Sequence, residues 1–438
     1  MSATTPDSDP RAADADTATK RAHDGAENGR PPRFLYVQAA LVALIGAVFV
    51  LLWFLAYNWL NKTIWDSQFV TANRWMFPVI CLPLSLVVGL LVKYLKAPTN
   101  LDSSVVDSLT GDVSKIRWQS LPVTVAQSLA SLLSGAVIGP EGAIGHIASQ
   151  IAAWYGDVFN IPMEERPKLV FASVAAGYNG LLENPVFAAV LGTELGSSKE
   201  ATLRTLPASL IGGGVGYAVF YVAHMSGFAN ILNLPPVTSF QPLDIVWIIL
   251  LAFVGVGLAV VAGALMQVSE RAFGVLRDRV VLRALVAGVV FSAVGYFAPI
   301  LLFSGETQVH TVIAQAATYS IWLLLLMAIV KLALLSVAFK SGYLGGPTFP
   351  VLFASVCIAL AINMVFPAIP VTLLVAGIAA GALFVLFRAP LMVVLLTSFM
   401  LDAPIPLQGL IVLAVATAMI VWEPLERVIQ SRQAATSK

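Results

Sequence analysis

Charged residues are scarce in this 438-residue chain, in which Asp, Glu, Lys and Arg together make up 11%. Soluble globular chains carry about 25% charged residues. The net charge is only +1, so the composition gives no sign of a nucleic-acid-binding role. Because the mean hydropathy is +0.85 and 58% of the residues are hydrophobic, the sequence predicts a polytopic membrane protein.

Cysteine and histidine are also rare. Cys81 and Cys357 both lie in apolar stretches, which favours small core residues over a disulfide or a metal pair. The four histidines lack the spacing of metal ligands, and the sequence contains no Walker A loop, GxGxxG or HExxH motif. We therefore expect no enzymatic activity, no metal and no cofactor.

Long apolar runs begin after residue 32. The runs 34–60 and 75–95 are each long enough to cross a bilayer. The second ends in Lys93 and Lys96, which indicate the cytoplasmic side by the excess of positive charge found there. From about residue 121 the apolar segments become short and broken, a pattern tolerated at membrane depth only where the backbone lines a cavity or packs on protein.

These features predict the organisation of the chain. Residues 1–32 have almost no large apolar side chains and are expected to form a disordered cytoplasmic tail. We expect two halves of a membrane domain, 33–225 and 226–432, followed by a C-terminal tail, 433–438. Both termini would lie on the cytoplasmic face of the cell membrane, and no regulatory domain is expected after the membrane domain.

One of the broken segments contains an acid. Glu141 lies in the stretch SGAVIGPEGAIGHIASQ, residues 134–150. A carboxylate at membrane depth is costly and is by default a candidate functional residue. Pro140 suits the first turn of a helix, and the N–H groups at a helix N-terminus form an anion site. We predict a broken helix that points into a cavity; the alternative is an ordinary helix start with an acid in its first turn.

Two stretches resemble each other at a nearly constant offset. Residues 175–191 read AAGYNGLLENPVFAAVL and residues 380–396 read AGALFVLFRAPLMVVLL, so that Pro185 aligns with Pro390. The same offset, to within one residue, aligns Gly139-Pro140 with the segment 345–347. Because glycines and prolines align, the pattern predicts two structural repeats, an arrangement found in transporters. Chance similarity between apolar helices is the alternative.

These motifs resemble those of the CLC family of chloride channels and proton-coupled chloride exchangers. The segment GPEGA at 139–143 resembles the family's GREGP motif, and GGPTFP at 345–350 resembles GGxFxP. Order and spacing match over about residues 70–430. The other matching segments are 184–194, similar to the NAPLAG…EE helix; 388–391, similar to RAPL; and 303–306, similar to a GGGE-type loop.

The resemblance implies an all-α polytopic membrane fold of two inverted repeats, assembled as a homodimer with one pore per subunit. It implies a voltage-gated chloride channel or a related transporter in which Glu141 is the gating glutamate. The carboxylate would occupy an anion site when the pore is shut and leave it, or take a proton, to admit chloride or another small anion. The anion-binding residues it indicates are Gly139, Pro140, Gly142, Ala143, Gly346, Thr348 and Phe349.

Two departures affect the anion site. The family's GSGIP motif, which supplies a serine hydroxyl, is missing, and Asn100, Ser103 or Ser104 could supply a donor instead. In the third motif Pro347 has no N–H to offer, and Thr348 replaces the usual phenylalanine. The threonine hydroxyl could compensate in part.

Two further departures affect proton coupling. Glu426 stands where the family has its pore tyrosine, and Leu195, after Glu194, stands where exchangers carry an inner glutamate. A leucine cannot carry a proton, which favours a passive channel. The first alternative is an exchanger in which Glu194, Glu426 or water gives another proton route. The others are a transporter of a different solute, fluoride included, and a structural or receptor role.

Overall fold

The structure is a computed structural model that describes residues 32–99, 113–182, 184–195, 199–225, 231–237, 239 and 241–436. The three candidate donors Asn100, Ser103 and Ser104 lie outside these residues, as does nearly all of the predicted N-terminal tail. Nothing structural is therefore added to those predictions.

Helices account for most of the described residues, and those residues include no β-strand. Four short 3₁₀ turns connect some of the helices, at 113–115, 118–120, 299–301 and 316–318. The α-helices are α1 Pro32–Trp65, α2 Gln68–Ala72, α3 Met76–Leu95, α4 Leu121–Leu133, α5 Glu141–Val158, α6 Arg166–Leu182, α7 Pro185–Leu195, α8 Lys199–Val222, α9 Pro242–Gly274, α10 Val280–Phe297, α11 Gln308–Ala314, α12 Ile321–Lys340, α13 Thr348–Val365, α14 Val371–Phe387, α15 Pro390–Met400 and α16 Ile405–Thr436.

Eight helices in the described part of the chain are long and apolar enough to cross a membrane: α1, α3, α8, α9, α10, α12, α13 and α16. This confirms the predicted polytopic membrane fold. Several helices extend beyond their apolar runs, since hydrogen bonding within a helix continues where the side chains become polar. Thus α1 reaches Trp65, and α16 runs to Thr436, into the segment expected to be a tail.

The two predicted repeats are visible as helices of equal length. The helices α5 and α13 each have 18 residues, α6 and α14 each have 17, and α7 and α15 each have 11. Pro185 and Pro390, aligned in the sequence, are the first residues of α7 and α15. The glycine and proline positions therefore marked the helix boundaries of both halves correctly.

Closely packed helix pairs occur in both halves, with α6 against α8 and α14 against α9. A Cβ at Gly212 of α8 would overlap the carbonyl oxygen of Ala172, and one at Gly255 of α9 would overlap the carbonyl oxygen of Ile378. Small residues allow helix backbones to approach in this way within a membrane. Packing of this kind holds each half together around its short helices.

Cys81 and Cys357 are both buried and form no disulfide. This agrees with the prediction that they are small core residues.

Candidate functional site: two helix N-termini that face one carboxylate

Two loops cross where α5 and α13 begin. Gly139 and Gly346 exchange two backbone hydrogen bonds, with N–O distances of 2.7 and 2.9 Å. A Cβ at Gly142 would lie 2.7 Å from the carbonyl carbon of Gly345, so glycine is needed for this approach. The crossing brings together the N-terminal ends of one helix from each half of the chain, as the repeat predicted.

The Glu141 side chain lies at the N-terminus of α13. Its Oε1 accepts a hydrogen bond of 2.7 Å from the backbone N–H of Thr348. The Thr348 hydroxyl and the backbone N–H of Glu141 itself also donate to the carboxylate. The carboxylate therefore occupies the place where a helix N-terminus would hold a free anion.

The pocket fits the Glu141 carboxylate closely, but in the described part of the chain only one of the two carboxylate oxygens is hydrogen-bonded. Glu141 is 5% exposed, yet its Oε2 has no hydrogen-bond partner among the described residues. A Cβ at Gly346 or Gly139 would overlap the Glu141 side chain, so both glycines provide its space. Because buried polar atoms are nearly always hydrogen-bonded, the unpaired oxygen marks this pocket as a candidate functional site.

Polar residues of α4 hold the second loop in place. Ser131 accepts a hydrogen bond of 3.1 Å from the backbone N–H of Leu344, and the Gln127 side chain donates to the carbonyl of Gly342 at 2.8 Å. Both side chains are fully buried. Sequence reasoning missed them, although their spacing of four residues places them on one helix face.

Tyr178 of α6 fixes the other side of the site. Its hydroxyl donates a hydrogen bond of 2.9 Å to the backbone carbonyl of Glu141, and the side chain is buried. The bond anchors the first turn of α5, from which the carboxylate extends. Sequence reasoning missed this residue too; the available signal was a tyrosine with a polar hydroxyl in an otherwise small-residue helix.

The predicted anion-binding residues divide into several groups. Thr348 donates to the Glu141 carboxylate through both its N–H and its hydroxyl, and its binding of a free anion stays a prediction. The N–H groups of Gly139 and Gly346 each donate to the other residue's carbonyl in this structure, and anion binding by these two residues stays a prediction. Pro140 is the cap of α5 and has no N–H. Gly142, Ala143 and Phe349 are buried in the first turns of α5 and α13.

Glu194, a candidate for the proton pathway, acts in the structure as a helix cap. Its two carboxylate oxygens accept hydrogen bonds from the backbone N–H groups of Leu391 and Met392, at 2.8 and 2.7 Å. At the equivalent start of α7, Asn184 accepts from two backbone N–H groups of its own helix. Because Ala389 stands at the matching place before α15 and cannot cap, the cap comes from the other half of the chain.

Glu426, the second proton candidate, is engaged in an ion pair. Its carboxylate lies 2.6 Å from the guanidinium of Arg388 and accepts a hydrogen bond of 2.9 Å from Gln430. Arg388 ends α14 in a left-handed conformation, with φ of 54°. Glu426 therefore links α16 to the junction between α14 and α15, and no hydrogen bond within the described ranges joins it to the Glu141 site.

Comparison with known proteins agrees with these observations. The voltage gated chloride channel family model matches residues 84–422. Among curated proteins, the chain is 25% identical over 329 residues to "Putative ion-transport protein YfeO" of Escherichia coli, covering 74% of this chain and 75% of the relative. A protein of the same name from Shigella boydii is 24% identical over 320 residues, covering 72% and 74%.

Solved structures share the fold. A slow cyanobacterial Cl⁻/H⁺ antiporter superposes with a TM-score of 0.73 at 20% identity, covering 93% of this chain and 99% of its own. A CLC-type fluoride/proton antiporter superposes with a TM-score of 0.70 at 17% identity, covering 90% and 96%. Since the family model spans most of the sequence, the chain belongs to the voltage gated chloride channel (CLC) family of membrane transport proteins.

Proposed function

We propose that this protein carries small anions, with chloride as the main substrate, across the cell membrane through a pore gated by Glu141. In this proposal the protein is a passive voltage-gated channel. The observation that supports the gate is the Glu141 carboxylate bound by the N–H and the hydroxyl of Thr348 at the start of α13. A carboxylate and a halide would compete for these same donors. The pore is shut while the carboxylate is bound and opens when it leaves.

The passive mechanism is supported by the state of the inner acids. Both oxygens of Glu194 cap α15, and Glu426 is paired with Arg388. Leu195 follows Glu194 and cannot bind a proton. The contacts of the two acids support a helix start and a helix junction.

A proton-coupled exchanger of chloride or fluoride is the second candidate. The observation that favours it is a second acid, Glu306, whose buried Oε2 has no hydrogen-bond partner among the described residues. The two superposed antiporters share the fold with this chain at 20% and 17% identity, which supports the scaffold rather than the mechanism.

The assembly and orientation of the proposed channel follow from the family resemblance. It would be a homodimer with one pore per subunit, in the lipid bilayer, with both termini in the cytoplasm. Light scattering of the detergent-solubilised protein, corrected for bound detergent, would give twice the mass of one chain. A single-chain mass with full anion flux would contradict the dimer and leave the pore proposal intact.

The test of the pore is anion efflux from proteoliposomes loaded with chloride, with proton movement recorded at the same time. The wild-type protein should release chloride without driving protons against their gradient. Glu141→Gln should release chloride faster at neutral pH, because the neutral amide competes less well with the anion. Uphill proton movement that Glu141→Gln abolishes would favour the exchanger, and absence of flux of any halide from folded protein would contradict both.

A further inference from the structure

A lysine lies buried among backbone carbonyls near the gate. Lys331 of α12 is 0% exposed. Its ammonium donates to the carbonyls of Leu301, Leu302 and Phe303 at 3.2, 3.0 and 2.9 Å, and it lies 4.6 Å from the ring centroid of Phe353. A lysine this deep cannot place its charge in water. It therefore holds its amino group against the backbone carbonyls of the loop 298–307.

The same loop presents a carboxylate. Glu306 follows Gly305, whose φ of +107° is a conformation that favours glycine. The side chain of Ser304 donates to one oxygen of Glu306. The other oxygen, Oε2, is buried and has no partner in the part of the chain that the structure describes. A buried carboxylate with one free oxygen can accept a proton there without breaking an existing bond.

The loop is attached directly to the segment that leads to Glu141. The backbone N–H of Phe303 donates to the carbonyl of Gly135 at 3.2 Å. Trp65 at the end of α1 packs edge-on against Phe303, with ring centroids 5.0 Å apart, and its indole N–H donates to the carbonyl of Leu133. Glu306 thus lies on the side of the gate where α1 ends, which we call the Trp65 face.

The ionisable groups around Glu306 come from several elements. Glu141 from α5, Lys331 from α12 and Tyr57 from α1 all interact with it electrostatically. Cys357 of α13 faces the lysine. Charges interact more strongly away from water than in it, and two carboxylates that interact strongly bind protons as a pair rather than as independent groups.

We propose that Glu306 is a second proton-binding carboxylate of the pore, and that it shares one proton with Glu141 and so sets the pH at which the gate opens. A hydronium ion at the Trp65 face gives a proton to Glu306 and is left as water. The O–H bond at Glu306 then breaks and one forms at Glu141, which leaves Thr348 as a neutral acid. The Glu306 carboxylate that remains is stabilised by Lys331 and Ser304. This inference rests on the proposed role of Glu141 as the gate.

The test is chloride efflux from proteoliposomes as a function of pH, changed equally on both sides. Wild-type efflux should rise as the pH falls. Glu306→Gln removes a negative charge near Glu141, so half-maximal chloride efflux should require a proton concentration about tenfold higher than in wild type. Lys331→Gln keeps a donor for the carbonyls but removes a positive charge, so half-maximal efflux should move to higher pH.

The two variants are expected to shift the pH of half-maximal efflux in opposite directions. Both lose the interaction between Glu306 and Lys331, so damage to the loop would shift both curves in the same direction. The pH of half-maximal efflux also does not depend on the amount of active protein. Glu423→Gln, at an exposed acid of α16, is the matched control and should behave as wild type. Curves for Glu306→Gln and Lys331→Gln that coincide with wild type would overturn the inference. If Glu306→Gln does not fold, the direction of the Lys331→Gln shift decides alone.

Failure of the proposed gate gives a different result. In that case wild-type efflux would not respond to pH, or Glu141→Gln would keep the full response. A normal wild-type response that Glu141→Gln removes, together with unshifted Glu306→Gln and Lys331→Gln curves, would leave the gate standing and reject only the second carboxylate.

Discussion

Glu141 has two properties that a gate requires. It is held at the start of α13 by Thr348, which stabilises the closed position, and its second oxygen is unpaired, which limits how firmly it is held. Hydrogen bonds to a charged group contribute about 1.5–3 kcal/mol each. A few such bonds are comparable to what a halide could gain at the same donors, so the two can exchange.

Thr348→Val tests how the closed position is held. The substitution removes the hydroxyl but keeps the backbone N–H and the shape of the side chain. Loss of one charged hydrogen bond should favour departure of the carboxylate, and half-maximal chloride efflux should move to higher pH by about one unit or more. Thr372→Val, at a buried threonine of α14 that bonds Pro235, is the control. An unchanged curve for Thr348→Val would show that the hydroxyl does not hold the gate.

The sequence allowed Glu141 to be predicted because an acid in an apolar chain is conspicuous on its own. Tyr178, Gln127 and Ser131 are different, because their importance depends on contacts with residues far along the chain. In sequence they are polar side chains within otherwise ordinary apolar helices. Only the packing of those helices determines that they face the crossing loops.

The short helices α7 and α15 likewise have one feature that depends on neighbouring residues, their first residue, and one that depends on residues far along the chain, the cap of α15. Their first residues, Pro185 and Pro390, follow from proline chemistry and were predicted by the repeat. The cap of α15 could not be predicted, because Glu194 reaches it from the other half of the molecule, 197 residues before Leu391. An acid that the sequence offered as a proton carrier is bonded as part of the framework.

Glu194→Gln therefore tests a structural role against a proton route. Glutamine has one acceptor oxygen, so α15 should lose part of its cap, and thermal unfolding should indicate a loss of about 1 kcal/mol. The pH dependence of chloride efflux should stay as in wild type. Asn184→Ala, which removes the corresponding cap of α7, should have a similar effect on unfolding. A changed pH dependence of efflux with unchanged stability would instead make Glu194 part of a proton pathway.

The whole molecule brings together the N-termini of α5 and α13, two helices of 18 residues each. The fold could be predicted from apolar run lengths and from repeated glycines and prolines, because these are local properties of a chain in a membrane. The crossing of the two loops depends on how both halves meet, and in it Gly139 and Gly346 bond each other's backbone. One consequence is that Thr348 is the main donor to the tethered carboxylate.

The measurement that tests this arrangement most directly is the location of bromide, a chloride substitute with an anomalous X-ray signal, in crystals of the wild-type protein and of Glu141→Ala. At alkaline pH, wild-type crystals should show no bromide at the start of α13, since the Glu141 carboxylate fills that place. Glu141→Ala crystals should show bromide within hydrogen-bond distance of the Thr348 N–H. Bromide beside a bound Glu141 carboxylate, or none near Thr348 in the variant, would contradict competition between the gate and the anion.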